Sequence, residues 1–329
     1  MKRRRLLVAA SGLAVLAPAL RAQQAGRVYR VALLGLQRRA AGTHEFFLRP
    51  LAAGLKEAGF AEGRNLTLDF HTADGDPARL PAVAAEVVRQ KYDVIVTSTN
   101  EVTAAAMAAS RTVPIVMAVG GNPLRAGFIA SMARPGGNVT GLTFDAAPEA
   151  YAKPLEFLKA IAPDLPRVAV LRSTAKLWEP MWAEFEAMGG KLGIAVEPVD
   201  VRTPADIAPA FAAMKQRGVR AFVFWPDPIT FPVRAQIAEL ALKERLMSAS
   251  LIGEFAASGG LISYGPNLQD LFRRAGLYAG RILNGARPGD LPVEQPTKYE
   301  LILNLQTAAG LGMAIPASLR LRADRVIGD

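Results

Sequence analysis

The chain has 329 residues, 51% hydrophobic and 21% charged, which excludes a disordered polymer and suffices for two lobes of about 150 residues each. Its net charge is +10, but five of its 39 basic residues and none of its 29 acids fall in residues 1–22, leaving 34 against 29 and a net +5. The other basic residues are scattered singly or in pairs such as Arg38-Arg39, which excludes a nucleic-acid stripe, and the lack of cysteine excludes disulfides, thiolate metal sites and a lipidated-cysteine anchor.

The first predicted element is a leader. Met1 to Arg5 form a basic head, Leu6 to Leu20 an apolar run, and Arg21-Ala22-Gln23 a small-residue exit. The run is shorter than the roughly 20 residues that cross a bilayer, and Pro18 stops a helical signal core ahead of cleavage near Ala22 or Ala25. Residues 1–25 are therefore expected to be a signal peptide and the start of the mature chain, with a retained anchoring helix as the competing reading. Arg3-Arg4-Arg5-Leu6-Leu7 also fits a twin-arginine signal. A soluble, exported, periplasmic protein without a lipid anchor is the expectation.

Strand and helix then alternate. Strands are expected at 28–35, 65–70, 92–97 and 114–119, with helices at 46–58, 77–90 and 101–110, a short helix at 127–132 and a turn at 135–138. The near-continuous apolar run Tyr92 to Val96 suits a parallel sheet covered on both faces. The pattern restarts with helices at 148–161, 178–192, 204–216 and 232–243 and strands at 167–171, 194–198, 221–225 and 246–249. A strand at 259–264, a helix at 267–284, an extended segment near 291–295 and a helix at 303–311 follow. Both halves read as open α/β units.

Ligands of such sheets sit outside the carboxyl ends of the strands, and the loops there carry the candidates. The first loop offers Arg38, Thr43 and His44. The second offers Thr97, Ser98, Thr99 and Asn100, which either cap the next helix or hold a ligand carboxylate at its N-terminus. Gly121 and Asn122 form a turn or bring backbone amides to a ligand. Ser173 and Thr174 follow a later strand. Trp225 either packs on an apolar ligand part or lies in the core. Asp227 either meets a ligand ammonium or caps a turn at Pro228, and Glu254 competes for the same role. No zinc-spaced cluster, nucleophile elbow or dinucleotide glycine fingerprint is present, so no cofactor, no metal and no catalytic activity is expected.

Four segments carry a family resemblance. They are Phe60-Ala61-Glu62-Gly63-Arg64-Asn65-Leu66, the run Ala130 to Gly141, Ser263-Tyr264-Gly265-Pro266-Asn267, and the tail from Leu291-Pro292-Val293-Glu294-Gln295-Pro296-Thr297 through Leu311-Gly312. Together they resemble the substrate-binding proteins of ABC transporters, including tryptophan- and tyrosine-binding members, over nearly all of 28–329. The resemblance implies a type I periplasmic binding fold: two open-sheet α/β lobes joined by three crossing segments. The crossings would fall near 141–144, 258–260 and 293–295, giving one lobe of 26–142 plus 260–291 and another of 143–259 plus 292–329. It implies a monomer that closes on a small polar or amino-acid-like molecule and is recognised by a membrane permease. An exported sensor docking on a receptor, or an exported enzyme on the same fold, are the alternatives. By family position the contacts would be Thr97 to Thr99 and Gly121-Asn122 on one lobe, and Ser173, Thr174 and Asp227 on the other. Asn122 departs from the acid common in the family, which removes a charge near the cleft.

Overall fold

The computed structural model describes residues 26–38, 43–144, 149–173 and 179–328, so the leader and Thr174 lie outside the described residues. The first series of elements is β1 (Tyr29–Gly35), α1 (Thr43–Glu57), β2 (Leu66–Thr72), α2 (Leu80–Arg89), β3 (Val94–Thr97), α3 (Asn100–Ala109), β4 (Ile115–Gly120) and β5 (Val139–Thr143). A second series follows, with α4 (Glu149–Ile161), β6 (Arg167–Ser173), α5 (Glu179–Leu192), β7 (Ala195–Val201), α6 (Ile207–Gln216) and β8 (Ala221–Phe224). It continues through α7 (Arg234–Lys243), β9 (Met247–Ser250), α8 (Gly253–Ala257), β10 (Ile262–Gly265) and α9 (Leu268–Leu283). The chain ends with β11 (Glu300–Asn304), α10 (Leu305–Leu311), α11 (Ala317–Arg320) and β12 (Arg325–Ile327). Among the described residues, no helix is long and apolar enough to cross a membrane.

The strands form two sheets, one of five in the order β2-β1-β3-β4-β5 and one of seven in the order β12-β11-β10-β9-β8-β6-β7. Every pair is parallel except β10 with β11. The central strands are buried on both faces: Val31 to Leu34, Val94 to Val96 and Ala221 to Phe224 are all fully inaccessible. That burial requires helices on each side of both sheets, and it accounts for the nearly unbroken apolar runs in the sequence. Two α/β lobes result.

Three expectations need correction. The strand predicted at 259–264, assigned with 260–291 to the first lobe, joins the seven-stranded sheet instead: Ile262 pairs with Ala249 of β9 and with Leu303 of β11. Its apolar residues Leu261 and Ile262 are buried in the core of the second lobe. The crossing therefore follows Gly265, not Ser258-Gly259-Gly260. Leu303 and Asn304, expected to open a helix at 303–311, instead end strand β11, because antiparallel pairing with β10 buries Leu301, Ile302 and Leu303; the helix starts at Leu305. Residues 127–132 make no helix. Gly127 closes a single turn at φ 71°, and Ser131 Oγ then bonds both the amide (3.0 Å) and the carbonyl (2.9 Å) of Arg134.

Helix α9 does return to the first lobe, against α1. The two helices approach so closely that a Cβ on Gly54 would stand 1.8 Å from Arg273 O, and one on Gly276 2.2 Å from Leu51 O. Near the last crossing Glu294 bridges to the end of β5: its amide donates to Gly141 O (3.0 Å) and its carbonyl accepts from Thr143 N (2.9 Å). Its carboxylate accepts from the Tyr278 hydroxyl (2.6 Å) and from Arg274. Burial alone would raise the Glu294 carboxyl, but these two donors on α9 outweigh it and hold the group below its usual value. The crossing segment is thus anchored to the helix that packs on the first lobe.

Candidate functional site

The carboxyl ends of the two sheets face each other across a cavity of about 140 Å³. Its first-lobe wall is Gln37 after β1, Phe47 of α1, Ser98 and Thr99 between β3 and α3, Asn100 at the start of α3, Val119 of β4, Gly121 just after it, and Leu268 and Phe272 of α9. Its second-lobe wall is Phe144, Tyr151, Pro226, Asp227, Pro228, Phe231, Pro232 and Ile252. The lobes touch through aromatic rings. Phe231 lies 5.6 Å from Phe46 and 5.8 Å from Phe47, and Phe47 lies 4.8 Å from Phe272.

The β3–α3 loop divides its labour between capping and the cavity. Thr99 is the helix cap, its Oγ1 accepting from Val102 N at 3.4 Å. Asn100 fixes the neighbouring loop with a two-way amide pair: Nδ2 donates to Gly121 O (2.6 Å) and Oδ1 accepts from Gly121 N (2.8 Å). Ser98 is 9% exposed, lines the cavity, and its Oγ has no hydrogen-bond partner among the described residues. Thr97 is fully buried beneath them, bonded to Thr103 Oγ1 at 2.7 Å, and does not line the cavity.

Gln37 follows β1, the strand paired with β3, and is 5% exposed. Its side chain folds back over β1, where Oε1 accepts from Leu36 N at 3.1 Å and Nε2 has no partner among the described residues. Gly35 makes this possible, since a Cβ there would stand 2.6 Å from Oε1. The Gln37 carbonyl takes the Thr72 hydroxyl, and Leu36 O takes Gly75 N at 2.6 Å, so the whole loop is pinned to the end of β2.

Asp227 lines the second-lobe wall and is 6% exposed, but its carboxylate serves the backbone. Oδ1 accepts from Ile229 N (2.7 Å) and Thr230 N (2.9 Å), and Oδ2 accepts from Ser173 N (3.1 Å). The turn-cap reading of Asp227 is therefore realised, and the turn is tied to the end of β6. Ser173 is buried and takes part through its amide; it does not line the cavity.

The remaining candidates divide as follows. Gly121 lines the cavity, whereas Asn122 caps the next turn, its Oδ1 accepting from Arg125 N at 3.1 Å with the backbone at φ 37°. Arg38 is exposed and its side chain runs along Gly75, away from the cavity wall. Trp225 is fully buried against Trp182 and Phe185, so its core reading holds and its role as a ligand platform does not. Glu254 is off the wall. Burial pushes its carboxyl up, despite the attraction of Arg234, and its Oε2 has no partner. Thr43 and His44 open α1, and their side chains, like Thr174, are outside the described residues.

Sequence reasoning passed over the aromatic wall. Phe47, Phe231 and Phe272 were not among its candidates and Phe144 stood only at an expected crossing, although Phe47 and Phe231 lie just after strand-end loops, where core strands leave the sheet.

The comparisons with known proteins agree with the two-lobed fold. The family model described as ABC transporter substrate binding protein matches residues 48–327. A curated relative, the tyrosine-binding protein of Clostridioides difficile (strain R20291), is 24% identical over 277 residues, covering 83% of this chain and 76% of the relative. A conserved domain protein from Vibrio cholerae O1 biovar eltor superposes with a TM-score of 0.82 at 24% identity, covering 91% of this chain and 100% of that one. The ABC domain from Streptococcus pneumonia in complex with L-Trp gives a TM-score of 0.81 at 24% identity, with the same coverage. With a matched segment that spans both lobes, the chain belongs to the ABC transporter substrate-binding protein family, on a type I periplasmic binding fold.

Proposed function

We propose that this protein is the extracytoplasmic solute-binding component of an ABC uptake transporter. It captures a small molecule with an apolar body and a polar, acceptor-bearing end by closing its two lobes, and the closed form is what a membrane permease recognises. The observation that carries this reading is the cavity between the lobes, where two buried side chains, Gln37 and Ser98, present polar atoms with no partner among the described residues. A buried polar atom left unpaired costs about 1–3 kcal/mol, so a ligand that pairs with both would recover that cost on binding. The apolar wall gives the body of the molecule a dry surface, and ligand that touches both lobes stabilises the closed state relative to the open one.

Family membership supports a binding role, and relatives whose names mention tyrosine or L-Trp support a solute of amino-acid size. The leader in the first 25 residues supports export, and the absence of cysteine from the chain supports a carrier without a lipid anchor. The test is native mass spectrometry of protein purified without denaturation, followed by identification of the molecule it releases. One small molecule per chain, unchanged by incubation with the protein, is the expected result. Chemical conversion of that molecule by the purified protein, or no bound molecule and no thermal stabilisation by any member of a broad metabolite set, would overturn the reading.

A further inference from the structure

One side chain joins two loops of the first-lobe wall. The pairing of β3 with β4 ends at Thr97 and Met117, and the register of β4 against β5 slips between Met117 and Gly120. The cavity lies just past this point, walled by Ser98 and Thr99 on one loop and by Val119 and Gly121 on the other. Asn100 supplies a rung beyond the end of the ladder. Its Nδ2 donates to Gly121 O (2.6 Å) and its Oδ1 accepts from Gly121 N (2.8 Å), the exchange of two bonds that a neighbouring strand makes. The two bonds also fix the orientation of the amide, since a flip would set donor against donor and acceptor against acceptor.

The clamped strand end leads on to the first crossing. Gly120 pairs with Thr143 of β5, and its carbonyl accepts from Phe144 N at 2.7 Å. Phe144 itself lines the cavity. Ser98, Gly121 and Phe144 therefore belong to one hydrogen-bonded stretch of wall, in which Asn100 is the link from the start of α3 to the end of β4. Asparagine suits this place as the shortest side chain with both a donor and an acceptor. An ionised aspartate only accepts, and alanine does neither.

We infer that Asn100 is a positioning residue of the solute site, holding the Ser98 loop and the Gly121–Phe144 side of the wall at the spacing the solute requires. This role rests on the solute-binding reading and adds to it a residue that acts through the backbone it holds.

The test compares the parent with Asn100→Ala and Asn100→Asp, in thermal melts and in calorimetric titration. The probe is the molecule that mass spectrometry identifies in the purified parent. Where the parent carries none, it is the member of the metabolite set that raises the parent's melting temperature most. Asn100 is the first residue of α3, where a carboxylate favours the helix N-terminus and alanine has the better helix propensity. A residue that merely served the helix would thus leave both variants at least as stable as the parent. The clamp predicts the opposite. Both variants are expected to melt lower, because alanine removes both bonds to Gly121 and aspartate sets a carboxylate oxygen against Gly121 O. Folded Asn100→Ala, titrated well below its melting temperature, is expected to bind the probe about tenfold or more weakly, a loss of about 1.4 kcal/mol that a bond serving stability alone would not cause. Should it fail to fold, Asn100→Asp, which keeps the acceptor for Gly121 N, carries the titration with the same expectation. Variants as stable as the parent, or unchanged affinity in a folded variant, overturn the role of Asn100 and leave solute binding standing. A parent that binds no member of the set overturns the solute-binding reading and this role with it.

Discussion

Asp227 stands on the cavity wall as the sequence suggests, yet its three hydrogen bonds go to the amides of Ser173, Ile229 and Thr230. Removing the carboxylate would leave buried amides of two loops without an acceptor, so Asp227→Ala is expected to lower stability by about 2–4 kcal/mol in urea denaturation, with or without ligand. Loss of binding at unchanged stability would instead return Asp227 to direct ligand contact. Glu254 makes a second case. Burial raises its carboxyl, against Arg234 and Arg325 and with Glu300, so the folded state holds the proton more tightly than the unfolded chain does. A raised acid contributes stability below its unfolded value of 4.5 and loses it as pH climbs through the folded value. Glu254→Gln should therefore be more stable than the parent at pH 7, with the advantage fading as pH falls towards 4.5, read from melting temperatures across that range. A constant difference at all pH values would contradict the assignment. At this scale the sequence exposed the polar loops but not their division of labour. Ser98 and Thr99 are adjacent hydroxyls, and only the start of α3 shows that one caps while the other faces the cleft.

The elements themselves were legible wherever a burial pattern repeated. β1, β3, β4 and β8 stand within two residues of their expected positions because a strand covered on both faces leaves an unbroken apolar run. Partnership between distant segments left no such trace. Ile262 reads as a strand in either lobe, and its pairing with Leu303 decides the matter. Gly54 and Gly276 lie inside helices, and their lack of a side chain is what lets α1 and α9 meet backbone to backbone. Alanine at Gly54 would gain about 1 kcal/mol of helix propensity and force its Cβ onto Arg273 O, and overpacking of a rigid contact costs about 1–3 kcal/mol. Since the obstacle is backbone, Gly54→Ala is expected to be destabilising on balance, by about 1–2 kcal/mol in chemical denaturation. A stabilised variant would mean that the helices separate without cost.

Across the whole molecule, the lobes are joined at β5, after Gly265 and around Glu294, and meet again through Phe46, Phe47 and Phe231 at the cavity. In the proposed function the polar end of the solute meets Gln37 and Ser98 of the first lobe, and apolar residues of both lobes line the space left for its body. The proposed function makes capture and closure one event: Gln37 and Ser98 line the cavity from the first lobe and Phe231 and Pro226 from the second, so a ligand that touches both sets favours the closed state. Small-angle X-ray scattering on ligand-stripped protein, before and after addition of the molecule it had carried, tests this most directly. The account predicts a smaller radius of gyration at saturation, with the addition of one equivalent per chain sufficient. Saturable binding with no change in radius, or no binding at all, would contradict it.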